Sequence, residues 1–141
     1  MKKNTINRDD KPVIDLIDIN ENKEILLTNK KGTWILPGGK QEDGETDFDT
    51  LEREIAQELN GAEINPNSII PYKMFEGITP FSKKQKEVIA YFGELITENL
   101  TASAEIMEAR YEKNPSRLNL SPITKDIIET LIADGYLHRI Y

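Results

Sequence analysis

Residues 39–59, GKQEDGETDFDTLEREIAQEL, place acidic side chains at intervals that can do chemistry. Glu45 follows Gly39 in a glycine-bearing segment, and Arg53, Glu54 and Glu58 follow in an apolar-periodic run. On a helix advancing roughly 100° per residue, Glu58 falls about 40° to one side of Glu54 and Gln57 about 60° to the other. The three head groups therefore share a face. Like charges at i,i+4 cost an isolated helix about 0.2 to 0.5 kcal/mol, so an ordinary exposed helix tolerates such a pair. The loop before the helix adds the chemical argument. Gly38, Gly39 and Gly44 let backbone approach a ligand closely, and magnesium is held by few carboxylates together with substrate phosphates. A hard cation between Glu54, Glu58 and a phosphate would relieve the repulsion.

Several elements must position this face. Val13–Ile19 reads as a strand with imperfect alternation, Asn20–Lys23 as its turn, and Glu24–Thr28 as the returning strand. Lys30-Lys31-Gly32 reads as a second turn before a strand at Trp34-Ile35-Leu36, which Pro37-Gly38-Gly39 should end. Thr46 is the expected N-cap of the acidic helix, with Asp49 three residues on in a variant capping box. Phe48, Leu51, Ile55 and Leu59 form its apolar stripe, and Asn60-Gly61 its left-handed stop. Residues 68–75 and 87–96 read as strands, the second buried on both faces. A last helix should run from Pro122 to Asp134, capped by Ser121 and closed by Gly135. Strands around two helices predict a mixed α/β domain with helices packed on a central sheet.

The bulk properties narrow the function. A chain of 141 residues, 38% hydrophobic and 30% charged, suits one soluble globular domain. Residues 1–11 read as a flexible N-terminal tail and 12–141 as the domain. There is no cysteine, hence no disulfide framework, thiolate nucleophile or cysteine zinc site. No apolar run reaches membrane-spanning length and the polar N-terminus lacks a secretory pattern, so cytoplasmic residence is expected and no membrane partner. The net charge of −7 argues against a long nucleic-acid footprint. The Lys83-Lys84-Gln85-Lys86 cluster reads first as a solvated loop.

Gly39, Glu45, Arg53, Glu54, Ile55 and Glu58, at this spacing, resemble the signature of the Nudix hydrolases, and Trp34–Gly39 resembles the family's approach to it. The resemblance spans a Nudix box at 39–61 and implies an αβα sandwich with a mixed sheet and helices on both faces. It further implies magnesium or manganese dependence and attack of water on the phosphorus of a nucleoside diphosphate derivative. Carried to matching positions, it gives catalytic roles to Arg53, Glu54, Glu58 and, on a later segment, Glu105. Metal contacts would come from Gly39, Glu54, Gln57, Glu58 and Glu105, and phosphate contacts from Gly38, Gly39 and Glu45. Arg53 would orient the glutamates through ion pairs, while Glu45 would support the loop. Two positions depart from the signature. Asn60 stands for its glycine, a mild change because asparagine tolerates the left-handed cap. Gln57 stands for the first glutamate of a Glu-Glu pair, retaining a coordinating oxygen without the charge.

Outside the box, Glu105 within Ala104–Tyr111 is the candidate additional ligand or base, with Glu108 weaker and Glu87 a further possibility. Trp34, Phe75, Phe81 and Tyr91 are candidates for stacking on a nucleobase, though buried aromatics ordinarily fill core. His138 should lie at the surface. The expected substrate is a small nucleotide such as a nucleoside triphosphate, acted on by a monomer or homodimer. The alternative is a Nudix-fold module that binds a nucleotide with little turnover. Specificity should reside in loops 76–87 and 112–120.

Overall fold

Strand β1 (Val13–Ile17) is buried from Ile14 to Ile17, and this double burial fixes the order of layers. Ile14 and Leu16 face one apolar core, shared with helix α1 (Asp47–Glu58). Ile17 faces a second core, shared with helix α2 (Pro122–Ala133). A computed structural model describes residues 11–78 and 84–139 of the chain. Residues 1–10 of the expected tail lie outside the described residues, and Lys11 pairs with Asp43 at 3.3 Å.

The β layer contains two hydrogen-bonded sheets. In the mixed one, β1 pairs antiparallel with β4 (Gly38–Lys40) and parallel with β6 (Gln85–Phe92), and β5 (Ile70–Ile78) forms the far edge beyond β6. The other sheet has β2 (Ile25–Lys30) between β3 (Thr33–Ile35) and β7 (Ile106–Glu112), all antiparallel. Both sheets feed both cores: Leu26 packs with the α1 side, and Ile25 and Leu27 with the α2 side. With one helix on each face, the architecture is an αβα sandwich. Among the described residues, no helix is long and apolar enough to cross a membrane.

Four sequence expectations change. Asn20–Lys23 does form a turn, with Asn20 N–H donating to Glu24 O and Lys23 at φ 63°. Yet β1 and β2 do not form the expected hairpin. Both edges of β1 are occupied by β4 and β6, so β2 departs into the other sheet, leaving an Ile19–Ile25 bridge and a Leu26 N–H to Asp18 O bond. Gly38 and Gly39 do not merely end a strand; they begin β4, opposite Asp15 and Ile14. The strands expected at 68–75 and 87–96 occur at Ile70–Ile78 and Gln85–Phe92. Residues 66–68 form a 3-10 turn, held by the Ser68 hydroxyl donating to Asn65 O, which delays the first of them. Finally, the basic cluster is not uniformly solvated. Lys84 is exposed, but Lys86 lies in β6 and is buried, while Lys83 lies outside the described residues.

Both helices follow local rules. Thr46 accepts from Asp49 N–H at 3.1 Å, and Asp49 accepts from Thr46 N–H at 3.1 Å, completing the capping box. Leu51 and Ile55 are fully buried, each contributing about 1.5 to 3 kcal/mol by burial. Asn60 at φ 51° and Gly61 at φ 84° then stop α1. The last helix begins with Pro122 in its first turn and Ser121 accepting from Thr124 N–H.

Candidate active site

The buried stripe on α1 turns Glu54, Gln57 and Glu58 toward a cavity of about 780 Å³. Beside them runs β4, whose two glycines are structural necessities. Gly38 has φ 145°, and a Cβ there would come 2.1 Å from Ile14 O. A Cβ on Gly39 would come 2.3 Å from Glu54 Cδ. Glycine at 39 thus lets the Glu54 carboxylate rest against the strand. Gly38 N–H donates to Glu58 Oε1 at 3.1 Å.

Arg53 locks the entry to the helix. Its Nε donates to Glu45 Oε2 at 2.6 Å and its Nη2 to Glu45 Oε1 at 3.0 Å, a bidentate pair. The same guanidinium reaches Glu54 Oε2 at 2.7 Å and Lys40 O at 3.0 Å. Glu45 also accepts from the Thr50 hydroxyl and Glu42 N–H. Hydrogen bonding from Arg53, then from Glu42 N–H, lowers its pKa to about 2. Glu45 and Arg53 stand behind the cavity rather than lining it.

Two acids in the cavity wall have pKa values pushed well above the ordinary carboxylate range. For Glu58 the main cause is burial; the Gly38 amide opposes it, and the Glu54 and Asp15 charges reinforce it. For Asp15, on β1, burial again dominates and Glu54 adds to it. Lys30 moderates Glu58 and binds Glu105 Oε1 at 3.1 Å. That bond is the main cause of the lowered Glu105 pKa. Ser103 ties the Glu105 segment to the end of α1: its N–H donates to Glu58 O, its hydroxyl donates to Gln57 O and accepts from Asn60 N–H.

Buried carboxylates facing one another are stabilised as anions by a cation between them. Among the described residues no three His, Cys, Asp or Glu side chains form a metal cage by themselves. The donor set instead fits the magnesium mode, in which one or two carboxylates share the ion with water and substrate phosphates. Glu54 and Glu58 are the residues that would hold it.

A model of the NUDIX domain matches residues 10–130. The chain belongs to the Nudix hydrolase family. No curated protein sequence matches the chain. Solved Nudix structures share its fold at low identity. A MutT/nudix family protein from Enterococcus faecalis has a TM-score of 0.70 at 16% identity, covering 98% of this chain and 68% of that one. The NUDIX domain of Shewanella oneidensis NrtR, complexed with ADP ribose, has a TM-score of 0.70 at 15% identity, covering 90% and 89%. A bifunctional NMN adenylyltransferase/ADP ribose pyrophosphatase from Francisella tularensis, complexed with AMP and a manganese ion, has a TM-score of 0.65 at 20% identity, covering 89% and 42%.

In this member of the Nudix family, Gly38, Gly39, Glu54, Gln57, Glu58 and Glu105 all line one cavity. Glu108 is exposed and pairs with Arg110 at 2.9 Å, while Glu87 lies opposite Glu76 on the β5–β6 ladder, and neither lines the cavity. The candidate stacking residues are otherwise engaged. Trp34 is buried beneath the Arg110 guanidinium, Phe75 packs on the α2 core, and Tyr91 donates to Asp47. Phe81 lies outside the described residues, and His138 is exposed. Sequence reasoning missed Asp15, Lys30, Lys86 and Ser103. Asp15 gave the clearest signal, a charge interrupting an apolar strand.

Proposed function

We propose that this Nudix-family chain cleaves the anhydride linkage of a small nucleotide, foremost a nucleoside triphosphate, with magnesium or manganese. The observation that carries the reading is the convergence of Glu54 and Glu58 on one cavity, each held by a separate partner, Arg53 and the Gly38 amide. When bound, a divalent ion supplies charge neutralisation for the transferring phosphoryl group. The chain supplies the arrangement. Arg53 fixes the Glu54 carboxylate while joining it to Glu45, so loop and helix keep one geometry. Gly39 leaves space for the Glu54 carboxylate to lie against the strand at the cavity wall. Glu105, ionised beside Lys30 at the cavity wall, is the acceptor for the proton lost by the attacking water. One of its carboxylate oxygens takes the proton as the water oxygen bonds to phosphorus, and the bridging anhydride P–O bond breaks with its electron pair leaving on the departing phosphate.

The ADP ribose in the Shewanella domain and the AMP and manganese in the Francisella protein support a nucleotide and a divalent ion as the reactants to try first. Product analysis with nucleoside triphosphates, dinucleoside polyphosphates and nucleotide sugars tests the reading. Metal-dependent release of a mononucleotide with phosphate or pyrophosphate from a triphosphate is expected. Tight binding of every nucleotide without cleavage would contradict it and favour a binding module, the reading that uncharged Gln57 suggests.

A further inference from the structure

The end of the cavity away from the carboxylates carries a buried cation. Lys86 on β6 is only 8% exposed, and its ammonium has no hydrogen-bond or ion-pair partner among the described residues. Buried lysines are normally paired, and an ammonium offers three donors and no acceptor. The contrast with other lysines is direct: Lys30 reaches Glu105 and Lys73 reaches Asp134. Lys86 is nevertheless part of the cavity wall.

Register explains what lies beside it. Gly77 is the cross-strand partner of Lys86, and directly opposite residues project to the same face of a sheet. Gly77 leaves that face empty, and the first turn of α2 occupies the space: a Cβ on Gly77 would come 2.8 Å from Ile123 Cγ1. Lys86 therefore extends alongside the N-terminus of α2, the positive end of its dipole. Ser121, Ile123 and Thr124 from that turn line the same cavity.

The acids stand elsewhere. On β1, Asp15 is in register with Ala90, four residues beyond Lys86 on β6; at ~3.3 Å per residue the two positions lie roughly 13 Å apart along the strands. The cavity thus has an acidic end at β4 and α1 and a basic end at β6 and α2. A cation is needed at the first to receive phosphate, whereas the second can receive an anion directly.

We infer that Lys86, with the N-terminus of α2, forms an anion subsite for a substrate phosphate other than those met by the carboxylate end. The subsite selects nucleotides bearing a further phosphate over those whose distal group is an uncharged sugar. The inference rests on the nucleotide-hydrolase reading for its place in turnover, but anion binding can be measured without it.

The test uses the full chain, Lys86→Gln and Lys86→Arg. With magnesium, kcat/KM is measured for a nucleoside triphosphate and a nucleoside diphosphate sugar. Lys86→Gln should lower the value for the triphosphate at least tenfold more than for the sugar nucleotide, chiefly through KM, and Lys86→Arg should recover most of the loss. An equal effect on both substrates overturns the subsite. In parallel, calorimetry with inorganic triphosphate in the presence of a chelator should show binding to wild type and Lys86→Arg that Lys86→Gln loses, with unchanged thermal melting as the control for folding. Absence of binding to wild type, or equal binding to Lys86→Gln, also overturns the subsite. If wild type cleaves neither nucleotide, the hydrolase reading fails while calorimetry still decides the role of Lys86.

Discussion

The backbone amide of Gly38 donates to Glu58 Oε1 at 3.1 Å, joining positions twenty residues apart. Strand and helix meet at this bond, and it is one of the few influences that favour the charged form of Glu58. Burial and the nearby Glu54 and Asp15 charges act the other way. The arrangement is held by groups outside the carboxylate cluster, the Gly38 amide for Glu58 and the Arg53 guanidinium for Glu54.

Gly39→Ala should displace the Glu54 carboxylate, because the new methyl would come 2.3 Å from Glu54 Cδ. The obstacle is a flexible side-chain end, so thermal melting should change little. Loss of the Arg53-held position should lower kcat/KM about 10- to 100-fold, the usual range for disturbing groups that orient metal ligands. Steady-state kinetics beside a melting curve separates the two effects; full activity would remove Glu54 placement from the account.

Arg53→Lys keeps the charge but loses the fork that grips Glu45. Turnover should fall by about 10- to 100-fold. Stability should also change its acid dependence. Glu45 has a folded pKa of about 2 against an ordinary value of 4.5, so its contribution is present above 4.5 and lost as pH falls toward 2. Melting curves across that interval should show a shallower acid decline in Arg53→Lys than in wild type.

Asp18 behaves in the opposite sense. It accepts from the Tyr111 hydroxyl at 2.6 Å and Leu95 N–H at 3.2 Å, but burial raises its pKa above 3.8. Its contribution is complete below that ordinary value and is lost as pH rises through the raised folded value. Asp18→Asn retains an acceptor and removes the charge. It should weaken this decline on the alkaline side, as read from melting midpoints; an unchanged profile would show that Asp18 does not titrate in that range.

Much of the acidic helix was legible because its determinants are local. Thr46, Asp49, Leu51, Ile55, Asn60 and Gly61 specify cap, stripe and stop within one stretch of chain. The remainder of the site depends on pairing between distant segments. Gly38 and Gly39 read as a turn until β1 is known to lie opposite them. Lys86 reads as solvated until its register with Gly77 and the approach of Ile123 are known. Ser103 carries no local sign of its bonds to α1, because its partners lie more than forty residues away.

Gln57 lines the cavity beside Glu54 and Glu58 without adding charge. Gln57→Glu should lower the magnesium concentration needed for half-maximal turnover by about tenfold, at the lower bound of effects seen when metal sites are retuned. A magnesium titration of activity checks this. Superimposable curves would show that position 57 does not limit metal binding.

The most direct test of the central claim is manganese binding by electron paramagnetic resonance, performed with turnover of a nucleoside triphosphate, for wild type and Glu58→Gln. Wild type should bind the ion and cleave the nucleotide, with cleavage abolished by a chelator. Glu58→Gln should bind the ion more weakly and lose at least about 100-fold in turnover, the scale of removing one preorganised electrostatic group. Equal binding and turnover in the two proteins, or wild-type cleavage that persists in chelator, would contradict the claim.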